Sequence, residues 1–121
     1  MLGELGTIRA SEYFSKQLAL TREKGATMVR AFVLYEGTAP DADRYDQHVR
    51  DFAATVPGAT FRHGGIFGAA FGEPKYRYYA EFEWADMDAF KAGTRSDEFA
   101  ASGKDAMEMG IPFQVYFTEI A

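Results

Sequence analysis

Apolar positions along this chain switch between a period of two and a period near 3.6, and the switches divide it into elements. Met28 to Glu36 is rich in β-branched and aromatic residues and reads as a strand. Gly37-Thr38-Ala39-Pro40 is a turn. After it, Tyr45, Val49, Phe52 and Val56 recur at helical spacing, with Asp41 placed to cap the helix and Pro57-Gly58 to stop it. Ala59 to Phe71 reads as a second strand interrupted by Gly64-Gly65 and Gly68. Tyr76 to Trp84 alternates cleanly, with Tyr76, Tyr78, Ala80, Phe82 and Trp84 on one face and Arg77, Tyr79, Glu81 and Glu83 on the other. Asp86 caps a short helix that Gly93 is expected to break. Ser96 caps a second segment through Met109, with Phe99, Gly103, Ala106, Met107 and Gly110 facing inward. Phe113 to Ile120 forms the last strand.

The element order is β-α-β-β-α-β, which predicts an α+β, ferredoxin-like fold: an antiparallel sheet with both helices on one face. Upstream, Ala10, Tyr13, Phe14, Gln17 and Leu18 share a helical face, so Ser11 to about Arg22 reads as a helix ended by Gly25. Residues 1–27 are thus an N-terminal extension, partly helical, ahead of one domain at 28–121. On the sheet face away from the helices the alternation puts Arg30, Phe32, Leu34, Tyr79 and Tyr116, a set too apolar to leave in water. A second copy packed sheet to sheet would cover it, which predicts a homodimer with a central cavity.

Composition sharpens this picture. Aromatic residues make up 16% of 121 residues, many rings for one small interior, so either both faces of the sheet are covered or some of the rings line a pocket or a subunit interface. The net charge of -5 argues against a nucleic-acid partner. The absence of cysteine removes disulfides, thiolate metal sites and thiol nucleophiles. No apolar run approaches the ~20 residues needed to span a bilayer. The first residues lack a basic region followed by an apolar stretch, so a cytoplasmic location is expected.

Several of these pieces, taken in order, resemble the EthD family of the dimeric α+β barrel superfamily. The matching pattern is a first strand ending near an acidic turn, Tyr45-x-x-His48 on the helix, Pro57-Gly58, Ala80-Glu81-Phe82 in a strand, Asp86 to Phe90, Ser96-x-Glu98, and a last strand opening near Pro112-Phe113. The resemblance covers residues 28–121. It departs after His48, where Val49-Arg50-Asp51 replaces the short Leu/Pro stretch common in the family. The family name comes from an accessory protein of ether degradation. Related barrels include muconolactone isomerases, cofactor-free quinol-type monooxygenases, polyketide cyclases and haem-binding members, and fold alone does not choose among them.

His48 lies beside the apolar stripe, where a titratable group is as easily structural as catalytic. The resemblance, not the spacing, directs an acid–base role to it, with Tyr45 and Glu81 as its orienting partners. His63, beside Arg62 and two glycines, has a direction that a one-residue register shift would reverse. If the third strand's charged face lines a cavity, Glu81 becomes a buried carboxylate and Arg77 its partner or an anchor for an anion. Phe32, Leu34, Phe67, Phe71, Tyr79 and Tyr116 are candidate pocket walls for a hydrophobic ligand. No Walker-type loop and no HxH or HExxH metal spacing occurs, a Ser-His-Asp set has no local signature, and nothing specifically supports haem on His48 or His63. The reading is a small homodimer that binds or transforms a hydrophobic or aromatic metabolite without cofactor or metal, by proton transfer as in an isomerase, cyclase or simple monooxygenase. The alternative is a non-catalytic accessory protein that carries such a ligand.

Overall fold

The computed structural model describes residues 27–121, so the expected helix at 11–22 lies outside the described residues. The chain runs β1 (Val29–Glu36), α1 (Ala42–Asp51), a short 3-10 turn (Ala53–Thr55), β2 (Thr60–Gly65), β3 (Tyr76–Trp84), α2 (Met87–Thr94), α3 (Asp97–Glu108) and β4 (Phe113–Glu119). The four strands form one antiparallel sheet in the order β2-β3-β1-β4. This is the expected ferredoxin-like arrangement, with the helices on one sheet face.

Capping follows the residues that announced it. The Asp41 carboxylate accepts the Arg44 amide at 3.0 Å, Asp86 accepts the Ala89 amide at 2.8 Å, and the Ser96 hydroxyl oxygen accepts the Phe99 amide at 3.1 Å. Gly110, at φ 78°, ends α3 in the left-handed conformation that glycine adopts without strain.

The alternation in β1 and β3 sorts side chains as expected. Ala31, Val33, Tyr35, Ala80, Phe82 and Trp84 are buried under the helices. The opposite face holds Arg30, Phe32 and Leu34 of β1, with Phe32 standing across from Glu81 on one side and Tyr116 on the other.

Four local expectations change. The first helix stops at Asp51, because Phe52 leaves helical geometry at φ -132°, and the 3-10 turn then carries the chain to the buried Val56. The second strand ends at Gly65, and residues 66–75 form a loop with Phe67 and Phe71 in the open. Met107 is exposed, because the buried face of α3 runs through Ser102, Asp105 and Ala106. Gly93 does not break a helix. It lies within α2 and is buried where a Cβ would come 2.9 Å from the Pro57 carbonyl oxygen and closer still to Trp84 Nε1. Trp84 Nε1 donates to that same carbonyl at 3.0 Å, so the fully buried indole, the Pro57-Gly58 turn and α2 meet at one point. The glycine is there for close approach.

Gly93→Ala is therefore expected to lower the unfolding free energy by about 1–3 kcal/mol through overpacking, despite the ~1 kcal/mol alanine gains over glycine inside a helix. Urea unfolding followed by the fluorescence of Trp84, the sole tryptophan, measures it. An unchanged or raised midpoint would contradict the close-approach account.

Candidate functional site

Helix α1 buries two side chains, Tyr45 and His48, and both face the space between sheet and helices. His48 is 3% exposed. Its Nδ1 lies 2.7 Å from Asp105 Oδ2 on α3. The same carboxylate takes both guanidinium nitrogens of Arg44, with Nη1 donating to Oδ2 at 3.0 Å and Nη2 to Oδ1 at 2.8 Å. Arg44 and His48 stand four residues apart on one helix face, so a single acidic residue on the facing helix reaches both.

This geometry settles the state of the ring. The Arg44 guanidinium, the strongest influence, holds the Asp105 carboxyl below the usual carboxylate range, and His48 adds to the effect. An ionised carboxylate only accepts, so the proton of the neutral imidazole lies on Nδ1 and the lone pair on Nε2. Burial lowers the His48 pKa, with the Asp105 hydrogen bond opposing it. Nε2 makes no hydrogen bond within the described residues, and His48 lines an apolar cavity of about 210 Å³ between the sheet and α1 and α3.

The cavity walls come from both layers. Val33, Phe82 and Val115 form the floor on the sheet, and Phe99, Ser102 and Ala106 of α3 form part of the opposite wall. Tyr45 closes one end. Its hydroxyl accepts from Tyr35 at 3.4 Å, and burial raises the pKa of both phenols. Both tyrosines are therefore neutral.

The sequence-derived candidates separate into three places. Tyr45 and His48 meet at the cavity, with ring centroids 5.0 Å apart. His63 lies on the helix side of the sheet but at the outer edge, where its Nδ1 is 2.6 Å from the Tyr78 hydroxyl and its ring packs on Tyr45. Glu81 projects from the opposite sheet face and cannot orient His48 within the same protomer. Its partners are Arg62, in direct ionic contact, and Arg30 at 3.8 Å. Arg62 also holds Glu83 at 2.9 Å. The expected pairing of Arg77 with Glu81 is likewise replaced: Arg77 pairs with Glu73 one turn of loop away, at 3.2 Å. Phe32, Leu34, Tyr79 and Tyr116 share the open face with the Arg–Glu cluster, and Phe67 borders a shallow surface depression with Arg77.

Sequence reasoning missed Asp105 and Arg44. The signal for Arg44 was its i,i+4 spacing to His48. The signal for Asp105 was its i,i+3 spacing to Ser102 on a helix whose inward face was drawn one position too far round. Among the described residues, no group of three or more histidine, aspartate or glutamate side chains is arranged to hold a metal ion. No described helix is long and apolar enough to cross a membrane.

His48 carries a stability signature. In the unfolded chain a histidine takes its proton near pH 6.5, whereas in the folded protein it resists protonation to a lower pH. The unfolded state thus binds more protons, and stability falls as pH drops through 6.5 toward the folded value. Thermal melts between pH 7.5 and 5.5 should show this decline in the wild type and a flatter profile in His48→Gln. Parallel profiles for the two proteins would remove the buried neutral imidazole from the account.

No family model matches the chain, and no curated protein sequence does. Solved structures do. An ethyl tert-butyl ether D (EthD) family protein from Bacillus halodurans superposes with a TM-score of 0.62 at 28% identity, over 78% of this chain and 99% of the other. A dimeric ferredoxin-like protein of unknown function from Thermobifida fusca gives 0.58 at 16% identity, over 78% and 92%. A hydroxynitrile lyase from Passiflora edulis gives 0.62 at 16% identity, over 79% and 95%. The described domain has the EthD-like, ferredoxin-like fold of the dimeric α+β barrels.

Proposed function

We propose that this EthD-like protein moves a proton on a small, largely apolar molecule held between its sheet and helices, with His48 as the general base. One observation carries the reading: a buried neutral imidazole, its Nδ1 proton held by Asp105 and its Nε2 without a hydrogen bond among the described residues, lines an apolar cavity. A base of this kind takes a proton from carbon beside a carbonyl, or from a phenol. The C–H or O–H bond breaks, its electron pair passes to the substrate oxygen, and the proton goes to Nε2. Asp105 stabilises the imidazolium that forms, and Arg44 keeps Asp105 ionised throughout. At about 210 Å³ the cavity is smaller than the ~300–1,000 Å³ of sites for drug-sized ligands, which favours a single ring or short branched chain. The existence of a hydroxynitrile lyase with this fold supports an enzymatic use of the architecture.

Exchange of the methyl protons of acetophenone in D2O, followed by NMR, tests the step directly. The wild type should catalyse exchange, and His48→Gln should lose roughly 100- to 10,000-fold. Binding of the ketone with no exchange above buffer would favour the competing reading, a carrier protein.

The second part of the proposal is a homodimer formed across the open sheet face. Two guanidiniums and two carboxylates cancel in the Arg30–Arg62–Glu81–Glu83 cluster, and Glu81 is already 3% exposed in one protomer. A neutral cluster, paired by ionic contacts and adjoining Phe32, Leu34, Tyr79 and Tyr116, tolerates burial under a second copy, whereas unpaired charges would not. The Thermobifida protein of this fold is described as dimeric, which supports a dimer here. Light scattering at micromolar concentration should give a dimer mass for the wild type and a monomer mass for Tyr116→Asp, which places an unpaired charge on that face. A monomeric wild type would overturn the packing.

A further inference from the structure

Two features of helix α3 have no structural explanation, and both face the cavity. Ser102 is 5% exposed, yet its hydroxyl makes no hydrogen bond within the described residues. A buried helical serine ordinarily returns its hydroxyl to a carbonyl of the preceding turn or finds another partner. Here the hydroxyl belongs to the lining of an apolar cavity. Gly103 follows it in mid-helix, where glycine is destabilising relative to alanine. Close packing does not explain the glycine, because a Cβ built on it would meet nothing within 4 Å. The contrast with Gly93, whose Cβ would strike Trp84 and Pro57, is direct. At Gly103 the missing methyl leaves room, and that room is part of the cavity wall.

We infer that Ser102 and Gly103 form a ligand-reading wall, and that the cavity takes a small apolar molecule carrying one oxygen, a carbonyl or hydroxyl, that hydrogen-bonds to Ser102. This inference rests on the proposed function and names its substrate class. Most of the lining is aliphatic or aromatic, and the Tyr35 hydroxyl donates to Tyr45 at 3.4 Å, which leaves the Tyr45 proton free. Ser102 Oγ, His48 Nε2 and the Tyr45 hydroxyl are then the side-chain polar groups of the lining left to address a ligand. The hydroxyl donates to the substrate oxygen, which gains negative charge as His48 takes the neighbouring proton. Ser102 also lies one turn from Asp105 on α3, so the group that holds the base and the group that holds the oxygen are fixed by one rigid element. Gly103 sets the width of the slot. A ligand with more polar groups than these would leave some of them unpaired in this cavity and is disfavoured.

The test compares acetophenone with ethylbenzene, its analogue without the oxygen, by titration calorimetry against wild type, Ser102→Ala and Gly103→Ala. The wild type should bind the ketone about tenfold more tightly or better. Ser102→Ala should bring the two ligands within about threefold of each other and bind ethylbenzene at least as well as before. Gly103→Ala should melt at a higher temperature, since alanine is the better helix former, while losing about tenfold or more for both ligands. That pairing of raised stability with lost binding is one a merely structural glycine would not give. Equal affinity of the wild type for ketone and hydrocarbon, or no binding of either, overturns the inference, as does a Ser102→Ala protein that keeps the preference. The two proposals fail separately. Loss of ketone preference with intact His48-dependent exchange removes Ser102 and leaves the base. A Ser102-dependent preference without exchange keeps the ligand class and removes the chemistry.

Discussion

The carboxylate of Asp105 is the contact on which the rest of the site depends. It joins α1 to α3 by taking a bidentate pair from Arg44 and the Nδ1 proton of His48. Each bond alone has an ordinary explanation. A forked Arg–Asp pair docks one helix against another, and a buried histidine needs a partner for its N–H. Together they do more. The guanidinium keeps the carboxylate ionised, the ionised carboxylate dictates the tautomer, and the tautomer leaves the lone pair on Nε2 of a ring that lines the cavity. With asparagine at 105 the ring would lose both its fixed proton and its charge partner, and Arg44 would be left without its carboxylate.

The cavity follows from how the two layers are filled. The sheet under the helices carries large rings at its centre and one end, where Phe82, Trp84, Phe90 and Phe99 interlock with centroids between 5.3 and 6.3 Å apart. Gly93 lets α2 close down on Trp84 at that end. Toward β4 the opposing residues on α3 are small, Ser102, Gly103 and Ala106, and the layers do not meet. Dense packing at one end and small residues at the other leave a void beside His48, in an interior that otherwise packs tightly. The helix glycine and the buried hydroxyl are both locally unfavourable choices, and such choices cluster where a protein keeps a site.

Much of the fold was legible because period and punctuation agreed. Tyr76 to Trp84 alternates without interruption, and the caps Asp41, Asp86 and Ser96 each marked a true helix start. The errors came where a residue's local meaning was overruled by a distant neighbour. Gly93 reads as a helix breaker alone and becomes a contact surface only once Trp84 arrives from another element. Gly64 and Gly65 suggest a bulge within a longer strand, and they instead mark its end. Of the candidate site, Tyr45 and His48 were legible from the helix that carries them. Asp105 lies 57 residues from His48, and no local pattern announces a partner at that distance.

The grouping of Glu81 with His48 shows why composition and alternation cannot place a site on a sheet protein. Alternation correctly put Glu81 on the face opposite Phe82, and the helix correctly put His48 beside an apolar stripe. Both groups are titratable, yet the stripe that seats the helix also fixes His48 on the Phe82 side of the sheet. A four-stranded sheet separates chemistry on its two faces as completely as a wall. Acid–base capacity accordingly belongs to the helix side, where burial and Asp105 control the imidazole. The paired charges of Arg30, Arg62, Glu81 and Glu83 belong to the open side, where they neutralise one another and suit contact with a second copy rather than catalysis.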